Sequence, residues 1–160
     1  MAALTWDKKA MARLIDEHNF ETREKCRKLF KEKLFRPRYN MTLPQERQLA
    51  YDRLKRLCDA KLFSVRDFWT NPRNIFTAHE MAAQVDASFA TKLTVQFNLF
   101  GGTVLKLGTE RHHKGLLEAI DRFQQVGCFG LTELGYGNNA VEMETTATYD
   151  KKSNTFLIDT

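Results

Sequence analysis

From Asp7 to about Lys61, apolar residues recur at helical intervals, as in Met11, Leu14 and Ile15 and again in Ala50, Leu54 and Leu57. Spacings of three and four put such residues on one face of a 3.6-residue helix, so this stretch reads as several helices and not as strands. Breaks fall near Asn19, at Arg36-Pro37-Arg38 and at Thr42-Leu43-Pro44. A proline suits a first helical turn, where its missing N–H has no partner to lose, so Thr42 is expected to cap a third helix over about Pro44–Ala60. Asn71-Pro72-Arg73-Asn74 reads as a turn, with Thr77 capping a helix that contains His79, Met81, Ala82, Val85 and Phe89.

The next apolar stretch, Leu93–Leu107, contains Gly101-Gly102. Each glycine costs ~1 kcal/mol relative to alanine inside a helix, and close approach of another helix backbone is the expected compensation. Gly108 should end this helix and Thr109 cap the next, Glu110–Gln124, with Leu116, Leu117, Ile120 and Phe123 on one side. Beyond Gln125 the pattern changes: Val126–Leu131, Thr145–Asp150 and Thr155–Ile158 read as strands, the last two joined as a hairpin through residues 151–154. The expected class is mainly α, with a helical domain over 1–125 and the opening of a β region over 126–160. Three strands cannot close a barrel, and the sequence stops just after an apolar strand, so the chain is expected to be one piece of a larger protein.

Composition adjusts this picture only slightly. The 160 residues are 42% hydrophobic and 28% charged, with eight glycines and three prolines, which is globular and neither disordered nor collagen-like. No window approaches the roughly 18–20 apolar residues of a membrane-spanning helix, and Met1–Asp7 has no apolar secretion core, so a soluble intracellular protein without a membrane partner is expected. Cys26, Cys58 and Cys128 are too scattered for a metal or disulfide framework and are expected to be inert thiols. The net charge of +5 is uneven, because residues 1–73 carry +8 and residues 74–160 carry −3. The basic run Arg23, Lys25, Arg27, Lys28, Lys31, Lys33, Arg36 and Arg38 is interleaved with Glu21, Glu24 and Glu32. That is the pattern of a solvated helix face with i, i+4 pairs, and it lacks the interleaved aromatics of a nucleic-acid site.

Adjacent His112 and His113 point about 100° apart on a helix, unlike an i, i+4 ligand pair, so no metal site is assigned. Phe30, Phe35, Phe63, Phe68, Trp69, Phe89, Phe97 and Phe100 read as core.

Two separated segments carry a family likeness. Gly127-Cys128-Phe129-Gly130-Leu131-Thr132-Glu133-Leu134-Gly135-Tyr136-Gly137-Asn138-Asn139, followed by Glu144-Thr145-Thr146-Ala147-Thr148-Tyr149-Asp150, resembles the acyl-CoA oxidases of the acyl-CoA dehydrogenase superfamily. Upstream, Leu99-Phe100-Gly101-Gly102 and Leu107-Gly108-Thr109-Glu110-Arg111-His112-His113 resemble the same family in the same order. The clear likeness covers roughly residues 75–160.

The resemblance implies an N-terminal helical domain followed by the first strands of a middle β-barrel domain, with FAD bound between the barrel and later helical domains. It implies oxidation of a fatty acyl-CoA to the trans-2-enoyl-CoA, with electrons passed to oxygen as hydrogen peroxide. It further implies a peroxisomal location and a homodimer for the full-length protein. On the family pattern Thr132 contacts the flavin, flanked by Leu131 and Glu133, while Gly135 and Gly137, with Tyr136 between them in the substrate-binding turn, let backbone approach the cofactor or the substrate thioester. Many relatives carry histidine where this chain has Tyr136. The family's base carboxylate lies in a later domain, so no catalytic residue is assigned here, and the segment alone is expected to be inactive. Two alternatives stand beside this reading: a dehydrogenase that uses an electron-transfer protein, and a truncated helical interaction module without catalysis.

Overall fold

The computed structural model describes residues 6–160 and divides into two compact units, one ending at Cys128 and the other spanning Phe129–Thr160. The expected mainly-α class holds. The first unit runs α1 (Lys8–Asp16), α2 (Phe20–Leu29), a 3-10 turn (Lys33–Phe35), α3 (Leu43–Asp59), α4 (Asp67–Thr70) and α5 (Pro72–Ala83). It continues through α6 (Ala87–Leu93), a π-helical stretch (Thr94–Gly101), α7 (Gly102–Leu107) and α8 (Glu110–Asp121).

The breaks follow local chemistry. Thr42 caps α3 as expected, with Gln45 Oε1 accepting the Thr42 N–H at 2.9 Å and Pro44 in the first turn. Thr77, by contrast, is not a cap. Pro72 opens α5, because its fixed φ suits a first helical residue, and the buried Thr77 hydroxyl donates to the Arg73 carbonyl at 3.0 Å inside that helix. The anticipated single helix through Phe89 is interrupted at Asp86, whose carboxylate accepts the Ser88 N–H and starts α6. Gly108 and Thr109 separate α7 from α8 as the sequence indicates, with His112 Nδ1 accepting the Thr109 N–H at 3.1 Å. α8 is kinked at Lys114–Gly115 and stops at Asp121, short of Gln124, because Phe123 adopts a left-handed φ of 55°.

The core is built from α3, α5, α6 and α8, where Leu54, Leu57, Phe89, Leu93, Leu117 and Ile120 are almost fully buried. Phe30, Phe35 and Phe89 form an aromatic cluster with ring centroids 4.8–6.2 Å apart. Trp69 does not join the core: it is 57% exposed and packs edge-on to His113. The apolar side of α1 is also open, with Leu14 and Ile15 74% and 75% exposed, while the buried Asp16 ties α1 to α2 through Arg27.

Two buried arginines are fully employed. Arg53 donates to Asp86 and to the carbonyls of Leu34 and Arg36, and Arg23 donates to Glu80 and to the His18 carbonyl. The basic run is partly neutralised in the same way, as Arg27 meets Glu24 and Glu32 meets Arg56. No described helix is long and apolar enough to cross a membrane.

Gly101 is needed for close approach, but to a side chain and not to a second helix backbone. A Cβ there would sit 2.6 Å from a Val65 methyl and 3.1 Å from the Gln96 carbonyl. Nor do residues 126–131 form a strand. The buried Gln96 side chain holds the chain as it leaves α8, donating to the Gln125 and Ile120 carbonyls and accepting the Gly127 N–H.

In the second unit, β1 (Thr146–Asp150) and β2 (Thr155–Asp159) form an antiparallel hairpin in which Thr146 faces Asp159 and Asp150 faces Thr155. The Asp150 carboxylate accepts the Lys152 N–H and the Ser153 hydroxyl, and Asn154 takes a left-handed φ of 55° in the turn. Every residue of both strands is exposed.

Candidate functional site

The segment between Gly130 and Thr145 is shaped by two glycines and one carboxylate. Gly135 and Gly137 have φ of 93° and 56°, in the region that side-chain-bearing residues rarely adopt, and an added Cβ at either would meet nothing within 4 Å. They are required for conformation: the chain reverses so that Glu133 pairs with Gly137, and the Tyr136 N–H donates to the Glu133 carbonyl at 3.2 Å. A 3-10 turn (Ala140–Glu142) then leads toward β1, pinned by the Asn139 amide donating to Glu142.

Glu133 closes this excursion. Its Oε2 accepts the Glu144 N–H at 2.7 Å, and its Oε1 accepts the Thr145 N–H at 2.9 Å together with the Thr145 hydroxyl. The Thr145 hydroxyl, followed by the backbone amides of Glu144 and Thr145, holds the Glu133 carboxyl below the usual glutamate range. Tyr136 donates its hydroxyl to Glu144 at 2.7 Å, and that acceptor raises the phenol above its ordinary value.

Between these strands of chain lies an open cleft of about 810 Å³, lined by Gly130–Leu134, Met143–Thr145 and Thr160. Thr132 is exposed there, and among the described residues its hydroxyl has no hydrogen-bond partner. The structure therefore gathers Leu131, Thr132 and Glu133 on one wall. Gly135, Tyr136 and Gly137 form the adjoining turn and do not line the cleft. Met143, Glu144 and Thr145 supply the facing wall, a role the sequence pattern did not mark. The only trace of it is a glutamate in the Thr132–Glu133 pair and donors eleven and twelve residues later.

Elsewhere the titratable groups are structural. Burial pushes the Cys26 thiol to about 11 and the Cys58 thiol to about 12, well away from thiolate chemistry. Cys128 is exposed. No group of three or more metal-ligating side chains gathers among the described residues. His112 is occupied by the Thr109 cap, and His113 Nε2 lies 3.1 Å from the Val104 carbonyl.

Comparison with known proteins gives a consistent result. The chain is 32% identical to the Arabidopsis thaliana protein named acyl-coenzyme A oxidase 3, peroxisomal, over 97% of this chain and 25% of that protein. It is 31% identical to the Caenorhabditis elegans protein named acyl-coenzyme A oxidase acox-3, over 94% of this chain and 22% of that one. It is 33% identical to the Homo sapiens protein named peroxisomal acyl-coenzyme A oxidase 3, over 76% of this chain and 17% of that protein. The chain thus spans a quarter or less of the length of these relatives. No family model and no solved structure matches it.

Proposed function

Because the chain belongs to the acyl-CoA oxidase family as a segment of its length, we propose that it supplies one wall of the FAD site of a fatty acyl-CoA oxidase, with Thr132 as the flavin contact. The observation that carries this reading is the exposed, unpartnered Thr132 hydroxyl on the wall of the cleft, inside the segment that the family likeness covers. The residues present fit one side of such a group. The cleft falls within the roughly 300–1,000 Å³ of small-molecule sites, and its walls offer Leu131, Leu134 and Met143 for a ring face beside the Thr132 hydroxyl for a polar edge.

Bound there, FAD would supply a two-electron acceptor for oxidation of a fatty acyl-CoA to the enoyl-CoA, with oxygen as the final acceptor and hydrogen peroxide as its product. The work of this chain is to bind and orient. Thr132 donates to the edge of the ring system that becomes electron-rich on reduction, which raises the flavin's electron affinity. Gly135, Tyr136 and Gly137 form a tight exposed turn that meets the thioester end of the acyl-CoA. Residues 1–125 form the helical domain, and residues 126–160 open a β domain completed by further chain. The hairpin supports this division, since Phe156 and Ile158 on one face and Leu157 on the other are each about two-thirds exposed, the pattern of strands meant to be covered on both sides. The names of the relatives favour an oxygen-reducing enzyme of the peroxisome over an electron-transfer-protein dehydrogenase or a non-catalytic helical module.

The test is a chimera in which this chain replaces the matching segment of the Arabidopsis oxidase 3 relative. The expected product is a yellow flavoprotein that forms peroxide on addition of a fatty acyl-CoA. A folded but colourless chimera overturns the reading.

A further inference from the structure

We propose that Glu133 is a positioning residue and not a flavin ligand: its carboxylate fastens the two walls of the cleft to each other and so sets where the Thr132 hydroxyl stands. The inference deepens the flavin-site reading and rests on it for the meaning of Thr132.

Three donors, all from the facing wall, converge on this one carboxylate: the N–H groups of Glu144 and Thr145 and the Thr145 hydroxyl. An ionised carboxylate offers about four acceptor sites, so most of its capacity is taken by these three donors. The bonds span residues 133 to 145, a stretch that otherwise contains only a tight turn and a single 3-10 turn. They end directly before β1, so the carboxylate links the Thr132 wall to the hairpin. Charge-assisted bonds of this kind are roughly twice as strong as neutral ones.

Electrostatics favours the same arrangement. Reduction puts negative charge on the polar edge of a flavin, and a carboxylate aimed there would oppose it. With the Glu133 carboxylate turned onto Glu144 and Thr145, the neighbouring hydroxyl of Thr132 is the group left to face a ligand. The tie from Tyr136 to Glu144 joins the same two segments through a single hydrogen bond, against three at Glu133, and is the lesser constraint.

The experiment is amide exchange and chemical shift by NMR on the 160-residue chain, comparing the wild type with Glu133→Gln, Glu133→Ala and Tyr136→Phe, together with the retention and reduction potential of the flavin in the Arabidopsis chimera carrying the same substitutions. Signals of the helical unit report whether each variant folds. In Glu133→Ala the Glu144 and Thr145 amides should exchange about tenfold faster or more, as expected for loss of hydrogen bonds to a charged acceptor, and the Thr132 amide should shift. Glu133→Gln keeps one acceptor oxygen and should retain part of the protection, while Tyr136→Phe leaves the Thr145 amide unchanged. In the chimera the flavin of Glu133→Ala should fall in potential or be lost, with Glu133→Gln between it and the wild type. Unchanged exchange at residues 144 and 145 in Glu133→Ala overturns the clamp, and equal flavin retention and potential in the wild-type and Glu133→Ala chimeras overturn its positioning role. A chain that shows the clamp beside a folded but colourless wild-type chimera leaves the clamp standing and overturns the flavin reading instead.

Discussion

Asp121 shows how one side chain can be both a brace and a cost. Its carboxylate accepts the Ser64 hydroxyl at 2.6 Å and the Val65 N–H at 2.7 Å, fixing the loop before α4 to the end of α8. Burial nevertheless raises its pKa above the ordinary aspartate value, the two hydrogen bonds only partly offsetting the desolvation. The groups around it are Asp67 and Arg66 on the loop side, Cys58 on α3, and Lys61, Glu118 and Arg122 around the adjacent small pocket. A carboxyl with a raised folded pKa binds more protons folded than unfolded, so its contribution to stability declines as pH rises from the ordinary aspartate value through the folded one.

Asp121→Asn keeps an acceptor for Val65 and places a donor toward Ser64, so it should gain on the wild type across that rise in pH. Asp121→Ala leaves the buried Val65 N–H without a partner and should cost about 1–3 kcal/mol. Urea unfolding of both variants at pH 3 and pH 7 checks the pair. At this scale the sequence was partly legible. Thr132 and Glu133 stand out in a motif, but the Glu133 partners are set by the fold of residues 133–145, and Asp121 meets Ser64 across 57 positions that no local pattern connects.

Among the elements, the π-helical stretch Thr94–Gly101 decides most about how the chain leaves the helical unit. π-helical turns are rare and cluster where a helix does more than span, and this one presents Gln96 and Phe100 to the same exit segment. Gln96 makes three hydrogen bonds to residues 120–127, and the Phe100 ring occupies the space a Cβ of Gly127 would need, at 2.0 Å. Gln96→Leu leaves the Gln125 carbonyl and the Gly127 N–H without their partner, while the Ile120 carbonyl keeps the Phe123 N–H, and should destabilise the chain by about 1–3 kcal/mol. Thermal unfolding measures the loss, and a change under about 0.5 kcal/mol, the scale of a neutral surface substitution, would contradict it.

The helical periodicity of Leu93–Leu107 was readable, but the π register was not. The wider turn depends on what Val65 and the exit segment require, so the glycine pair suggested a helix crossing where the structure has a valine. The hairpin was legible because its β-branched and aromatic runs flank Asp150-Lys151-Lys152-Ser153-Asn154. Residues 126–131 misled for the same reason in reverse: the run is apolar, yet Val126 and Phe129 are more than half exposed and it pairs with no strand.

At the scale of the whole molecule, a well-packed helical unit and an exposed hairpin unit differ in how much each stands on its own. The first buries a continuous core with the buried Asp16, Arg23 and Arg53 paired, whereas the second exposes Tyr149, Phe156, Leu157 and Ile158. This contrast agrees with a chain that spans about a quarter of its oxidase relatives. The central claim is that Thr132 holds the electron-rich edge of a flavin, and the most direct measurement is the reduction potential of the flavin bound to the Arabidopsis chimera, with Thr132 and with Thr132→Val. Losing a hydrogen bond to a charged group is worth ~1.5–3 kcal/mol, so the valine variant should lie about 30–60 mV lower for the two-electron couple. Equal potentials in the two proteins would contradict the account.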